Sequence, residues 1–561
     1  MSANTAPSRN VREVTHDLLR ALDLTTVFGN PGSTELGFLD GFPADFRFVL
    51  GLHEGTVVGM ADGYSQGRDR AALVSLHSAS GLGNAMGAVV NAFHNRSPVV
   101  ILCGQQDRRH LAIEPYLFSR SVDLALPYVK WSQEPARAAD VPAAIRRAYQ
   151  VATMPPRGPT LVSVPAGDWD EPCEPLQPGG QFGVATVPED QAVRGLADLL
   201  RASVRPVLVA GAGLDHPRGW AAATALAETL DCPVWTAPQA PRAGFPEDHP
   251  LFQGHLPSDA DGLARALAPA DLVVVIGAPA YSFLTYSTYS GAAALPLMVM
   301  ITDDPGDASR SGASMNIVAD PASTIEAVLS LRELTRGHAV TPRPLAPDRA
   351  TAPAPARGED GLSTTQVMHE LASVCTPETV IVEEAPSMRP QFRRYLRIVR
   401  PGRFYATASG GLGYAMPAAV GMKMARPDEH VVCVMGDGSA LFAMHALWSA
   451  AREHVGVRFV LLDNGGYGIL RDLAGHARRT GVPGLDIDGI DFVSLAKSLG
   501  CAACRVAHAG ELRAALAPAL TGAADDAPLL VEVDVRPRRD ARATGNAGSV
   551  RAQRAADLGI G

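Results

Sequence analysis

Nowhere in this 561-residue chain do apolar residues run long enough to cross a bilayer. The first residues, MSANTAPSRNVREV, lack the apolar core of a secretory signal. Together these absences predict a cytoplasmic protein with no membrane partner. Cysteine is scarce: seven residues, an odd number, scattered through apolar runs such as VILCG and VVCVMG. That pattern argues against a disulfide scaffold and fits reduced core thiols. CAAC at residues 501–504 has the spacing of a redox or zinc pair, but no second pair accompanies it. It reads as packing between a helix and a strand. Basic excess is also missing. Lys and Arg number 49 against 58 Asp and Glu, for a net charge of −9, so nucleic acid is not an expected partner. The arginines of the tail, residues 537–561, read as solvated surface.

What is present is ample core material: 47% hydrophobic and 19% charged residues, in a chain too long for one ordinary core. Strand-like runs alternate with helical stretches in three blocks. The first holds TTVFGN, RFVLGL, AALVSLH, PVVILCG and PTLVSVP; the second RPVLVAGAG, CPVWTAP and ADLVVVIGAP; the third ETVIVEE, VVCVMGD, RFVLLDN, CRVA and PLLVEVDV. Pro-, Gly- and Ala-rich stretches that cannot pack a core separate them. This predicts an α/β protein of three doubly wound parallel-sheet domains at 1–170, 190–336 and 360–536, followed by the tail.

The third block contains MGDGSALFAMHALWSAAREHVGVRFVLLDNGGYG, residues 435–468. It reads as strand, acidic turn, helix, strand and polar turn. A helix joining two parallel strands returns the chain to the same sheet edge, so Asp437 and Asn464 should meet there. Oxygen donors on glycine-containing turns suit Mg²⁺ or Ca²⁺ carrying a phosphate. In the first block, polar clusters close three successive strands: Asn30 to Ser33, His53 with Glu54, and His77 with Ser78. Such ends can converge on one crevice. Taken singly, Glu54 or Ser33 could cap a helix, and His77 could be a satisfied core histidine.

Taken together, these motifs resemble those of the thiamine diphosphate enzymes of the 2-oxo-acid decarboxylase and acetolactate synthase class, and among them most the benzoylformate decarboxylases. The resemblance runs from NPGSTEL through HSASGLGNAMGA, KWSQEPA, APRAGFP, VVVIGAP and GGLGYAMPAA to PGLDIDGIDFVSLAKSLG. It implies an N-terminal pyrimidine-binding domain, a central domain and a C-terminal diphosphate-binding domain. Asp437, Asn464 and the carbonyl of Gly466 would hold Mg²⁺ or Ca²⁺; Asp463 stands where the family more often has Asn. Cofactor-binding residues would be Asn30, Pro31, Gly32 and Glu54 from the first block. From the third they would be Ser387, Gly410, Leu412, Gly436, Asp437, Gly438 and Ser439, then Asn464, Gly466, Tyr467, Gly468 and Ile469. Glu54 would bond the aminopyrimidine and promote formation of the thiazolium ylid. Leu412 would hold the bent cofactor, and the Gly410 carbonyl would receive its amino group. Ser33 would bind the substrate carboxylate, and His77 would help protonate intermediates.

The pattern breaks around the substrate. Leu284 stands where this family carries a second catalytic histidine. Ala406 and Leu473 fall where phenylalanines are expected, and Ile469 replaces a smaller residue. These four form the expected substrate pocket. The resemblance therefore implies non-oxidative decarboxylation of an aromatic or branched 2-oxo acid through ylid attack and an enamine. The alternative is a carboligase or carbon–carbon lyase that forms or cleaves 2-hydroxy ketones, using an aldehyde acceptor. A non-catalytic homologue is a third reading, disfavoured because Glu54, His77, Asp437 and Asn464 are all present. A flavin is not excluded by the residues. A homo-oligomer, at least a dimer and as a dimer of dimers a tetramer, is expected, with each site shared between subunits.

Overall fold

The computed structural model describes residues 9–177, 179, 186–281, 296–331, 362–487, 489–521 and 526–535. Within them lie three six-stranded sheets, every paired strand parallel, as the alternating pattern predicts. Most inner strands are unbroken apolar runs, because helices cover both faces of a parallel sheet.

The first sheet contains β1 (Thr26–Asn30), β2 (Arg47–Leu50), β3 (Ala72–Leu76), β4 (Val99–Gln105), β5 (Ser132–Gln133) and β6 (Thr160–Pro165), in the order β2-β1-β3-β4-β6-β5. The second contains β7 (Pro206–Ala210), β8 (Val234–Thr236), β9 (Phe252–His255), β10 (Leu272–Ile276), β11 (Leu297–Thr302) and β12 (Met315–Val318), in the order β12-β11-β10-β7-β8-β9. The third contains β13 (Val380–Glu384), β14 (Phe404–Ala406), β15 (Val431–Gly436), β16 (Arg458–Asp463), β17 (Ala502–Val506) and β18 (Leu529–Asp534), in the order β14-β13-β15-β16-β18-β17. In the third sheet the chain turns opposite ways from β13 and β15. Crevices at such reversal points are where open α/β sheets bind ligands.

The first and third sheets share a core. Helix α1 (Glu54–Arg68) follows β2, α2 (Ser78–His94) follows β3, and α3 (Ala415–Ala425) precedes β15. Helices α1 and α3 touch backbone to backbone. A Cβ at Gly63 would lie 2.0 Å from the carbonyl oxygen of Ala418, and one at Gly421 would lie 1.9 Å from that of Met60. Only glycine permits that approach. Val57, Met60, Ala418 and Met422 are buried in one continuous cluster there. The second sheet has its own cores. It meets the first domain where Arg96 spans Asp303 (2.8 Å) and Asp304 (3.1 Å). It meets the third where the Gly402 amide donates to Asp215 (2.7 Å).

The expected crossover helix between β15 and β16 is divided. A short turn of helix at Asp437–Ala440 gives way to irregular turns, and α4 begins only at His445 (His445–Arg452). Bonds of the i→i+3 type, such as Ala443 N–H to Ala440 carbonyl (3.0 Å), tighten the join. All seven cysteines are free, and Cys501 sits buried between a helix and β17. No helix among the described residues is long and apolar enough to cross a membrane. The second linker, Leu284 and the tail lie outside the described residues.

Candidate active site

Asp437 begins where β15 ends. Its Oδ1 accepts the Gly438 amide (2.8 Å), and its Oδ2 accepts the Gly466 amide (2.8 Å). The second bond ties the two turns together across the crossover. Beside them, Oδ1 of Asn464 is buried without a hydrogen-bond partner, an unstable arrangement unless something occupies it. Burial, reinforced by the neighbouring Asp463, pushes the Asp437 carboxyl up to about 6. A divalent cation would satisfy the amide oxygen and draw the carboxylate back to its charged form. Carboxylate and amide oxygens are hard donors, suited to Mg²⁺ or Ca²⁺ rather than zinc; the Gly466 carbonyl expected beside them accepts the Gly468 amide (2.9 Å). No group of three His, Cys, Asp or Glu residues that could hold a metal occurs among the described residues.

These turns open on a cavity of ≈ 1320 Å³. Residues 436–439, Asn464, residues 466–469, Ser387, Gly410, Leu412 and Leu473 line it, with Gln239 and residues 255–258 of the second domain forming part of its wall. Ala406 does not line it. As the last residue of β14 it is buried with Ile381 and Phe404 in the core of the third domain, its amide bonded to the Pro241 carbonyl (2.8 Å). The cavity wall at this level is Thr407 and Ala408 instead. The expected pocket position of Ala406 is thus corrected.

The first domain presents a second polar group. Glu54 opens α1 but does not cap it; the cap is His53, whose Nδ1 accepts the Gly55 amide (3.0 Å). The buried Glu54 carboxylate accepts from Asn30 (3.4 Å) and from Asn84 (3.1 Å). Ser33 caps nothing either: it lies exposed in a short 3₁₀ turn behind Gly32. His77 is half-buried and hydrogen-bonded at one nitrogen. Its Nδ1 lies 3.0 Å from Glu35 Oε2 and 3.1 Å from the Thr34 hydroxyl. Glu35 in turn accepts the Gly32 amide (2.8 Å) and the Thr34 hydroxyl (2.6 Å). With Nδ1–H directed at Glu35, Nε2 remains for proton exchange. The imidazole rests on Gly32, where a Cβ would fall 2.2 Å from Nδ1.

Sequence reasoning missed Thr34, Glu35 and Asn84. The acid three residues beyond Gly32 in GSTE was the available signal for Glu35. Asn30, Pro31, Gly32, Ser33, Glu54 and His77 do not line the cavity of the third domain. One chain therefore assembles each half of the constellation but does not bring the halves together.

Comparison with known proteins accounts for both halves. Models of the thiamine pyrophosphate (thiamine diphosphate) enzymes match the chain three times: the N-terminal TPP binding domain at residues 9–125, the central domain at 193–328 and the C-terminal TPP binding domain at 387–533. The chain belongs to the thiamine pyrophosphate enzyme family. It is 41% identical to a benzoylformate decarboxylase of Pseudomonas aeruginosa, over 94% of this chain and 98% of that one. The thiamine diphosphate-dependent 4-hydroxybenzoylformate decarboxylase of Rhodococcus jostii RHA1 superposes with a TM-score of 0.88 at 40% identity, covering 94% of this chain and 99% of that one. Benzoylformate decarboxylase of Polynucleobacter necessarius gives 0.86 at 36% identity, covering 94% and 99%. As a family member the chain is an enzyme that binds thiamine diphosphate, and the orphaned Asn464 oxygen beside Asp437 fits the diphosphate's metal.

Proposed function

We propose that the protein is a thiamine diphosphate- and Mg²⁺-dependent, non-oxidative decarboxylase of an aromatic or branched 2-oxo acid, with each active site built from two copies of the chain. The cofactor reading rests on the unpartnered Asn464 oxygen, which with Asp437 belongs to the lining of the cavity. The substrate reading is supported by the named activities of the relatives and by the apolar side chains of Leu412, Ile469 and Leu473 on the cavity wall. The shared site is supported by the separation of Ser33, Glu54 and His77 from the cavity within one chain.

When bound, thiamine diphosphate supplies the electron sink for the bond released by the departing carboxylate. Asp437, Asn464 and the Gly466 carbonyl would hold the divalent cation that accompanies the diphosphate. Glu54 from a partner copy would hold a proton at the cofactor's pyrimidine, with Asn30 and Asn84 orienting its carboxylate. The Ser33 hydroxyl bonds the substrate carboxylate. His77, oriented through Glu35, exchanges a proton at Nε2. The apolar wall excludes water and favours loss of charge as neutral CO₂ leaves.

The test is a panel of 2-oxo acids, with benzoylformate and branched aliphatic members, offered to the enzyme loaded with thiamine diphosphate and Mg²⁺. CO₂ and free aldehyde are measured with and without an acceptor aldehyde. Stoichiometric CO₂ and aldehyde are expected from aromatic or branched members. Absence of CO₂ from every acid would refute the reading, and condensation product in place of free aldehyde would make the enzyme a carboligase.

A further inference from the structure

Glu384, the last residue of β13, has no part in the scheme above, yet it lines the cavity and its side chain is buried. Its two oxygens are used on one loop. Oε1 accepts the Gly413 amide (2.7 Å), and Oε2 accepts the Ala415 amide (2.7 Å). That loop carries Gly410 and Leu412, both on the cavity wall. Gly410 and Gly413 have φ of +75° and +92°, conformations that leave the segment without a regular ladder of its own. Its order must come from side chains around it.

The first domain of the same chain holds the loop's other face. Asn91 of α2 donates to the Gly411 carbonyl (3.4 Å) and accepts from Thr407 (3.2 Å) and Ser409. Gln66 of α1 donates to the Tyr414 hydroxyl (3.1 Å). Glu384 is the member of this set that stands on the third sheet itself. Its backbone register is with Met435 of β15, one residue before the Gly436–Asp437 turn. One carboxylate therefore links the loop under Gly410 and Leu412 to the strand pair that ends in the metal turn.

We propose that Glu384 is a positioning residue for the cofactor: by gripping the Gly413 and Ala415 amides it fixes the direction in which the Gly410 carbonyl and the Leu412 side chain face the bound thiamine diphosphate. The inference rests on the cofactor reading alone and is independent of which 2-oxo acid is the substrate. A carboxylate suits this position because both of its oxygens accept. Glutamine would offer one acceptor and would turn an N–H₂ group against an amide N–H. Losing a buried bond to a charged acceptor is worth about 10–100-fold in an equilibrium constant.

The experiment compares wild type with Glu384→Gln and Glu384→Asp by two readouts. One is calorimetric titration of the Mg²⁺-supplemented, cofactor-free protein with thiamine diphosphate. The other is amide hydrogen exchange of the peptide spanning 409–416. Both variants are expected to bind thiamine diphosphate about 10–100-fold more weakly and to exchange faster in this peptide while α1 and α3 stay protected. Unchanged affinity and unchanged exchange in either folded variant would overturn the proposal. Faster exchange with unchanged affinity would also overturn it, since the grip would then be structural only. Should Glu384→Gln fail to fold, Glu384→Asp, one methylene shorter, carries the same two readouts. Failure of the wild type to bind thiamine diphosphate would instead sink the cofactor reading and the proposal with it.

Discussion

Glu35 and His77 form a pair whose geometry leaves one imidazole nitrogen committed and the other free: Glu35 Oε2 lies 3.0 Å from Nδ1, with the acid itself fixed by the Gly32 amide at 2.8 Å. Replacing the acid by its amide should disturb ring orientation and tautomer without removing the histidine. Glu35→Gln is expected to lower kcat by about 10²-fold, within the range a positioned proton donor contributes. KM should change far less. Steady-state kinetics with the best 2-oxo acid check this; a KM effect alone would assign Glu35 to substrate binding.

Cofactor retention should depend on a divalent cation. After exhaustive chelation, activity is expected to return with thiamine diphosphate plus Mg²⁺ or Ca²⁺, and not with either component alone. Asn464→Ala removes the amide oxygen that is buried without a partner. It should weaken cation-dependent binding while leaving the melting temperature of the cofactor-free protein within a few degrees of wild type. Full activity in chelator would contradict the metal assignment.

If each site draws on two copies, two inactive chains should complement one another. Glu54→Gln spoils the first-domain half, and Asp437→Ala spoils the half on the third domain. Mixed under conditions of demonstrated subunit exchange, they are expected to recover up to about a quarter of wild-type activity, provided half of the random pairs are mixed and each mixed pair has one intact site of two. No recovery would place both halves in one chain.

The pH dependence of stability carries a signature of Glu384. Burial pushes its carboxyl up to about 7 from an ordinary 4.5. Between those values the folded chain holds a proton that the unfolded chain has released. The contribution of this group is therefore present at low pH and is lost as pH rises from 4.5 through 7. Glu384→Gln has no such proton. The melting temperature of the variant relative to wild type should climb between about pH 4.5 and pH 7 and level off above it. A constant offset across that range would show that the carboxyl is not perturbed.

Gly421→Ala tests the contact between α1 and α3. The added methyl would begin 1.9 Å from the Met60 carbonyl oxygen, and backbone cannot swing aside as a side chain can. A loss of about 3 kcal/mol or more in stability is expected, at the upper end for overpacking. Denaturant unfolding of the cofactor-free protein measures it.

Much of this was legible because parallel sheets write long apolar words. LVVVI of β10 and VVCVMG of β15 are buried on both faces and stand out from composition alone. Edge strands do not: β5 has two residues and β14 three, too few for any period. β11, LMVMIT, is internal, but its methionines lack the β-branched signature. At the site, Asp437 and Asn464 were visible because each ends a strand of one crossover. Glu384, and the bond from Glu35 to His77, were obscure for the opposite reason. His77 lies 42 positions from Glu35, and the loop amides lie about thirty positions from Glu384, links that exist only after folding. Ala406 was misplaced because which of its neighbours it packs against depends on strand pairing, which a resemblance in sequence does not contain.

The seam between α1 and α3 also sets a timetable for the growing polypeptide. Gln66 and Tyr414, bonded across it, are 348 positions apart. At 5–20 residues per second the ribosome needs roughly 17–70 s to supply the second after the first. Throughout that interval the glycine-lined flank of α1 has been made and its mate has not. The nascent first domain must wait with an apolar, flat surface uncovered, an invitation to chaperones or to the neighbouring chain on the same polysome.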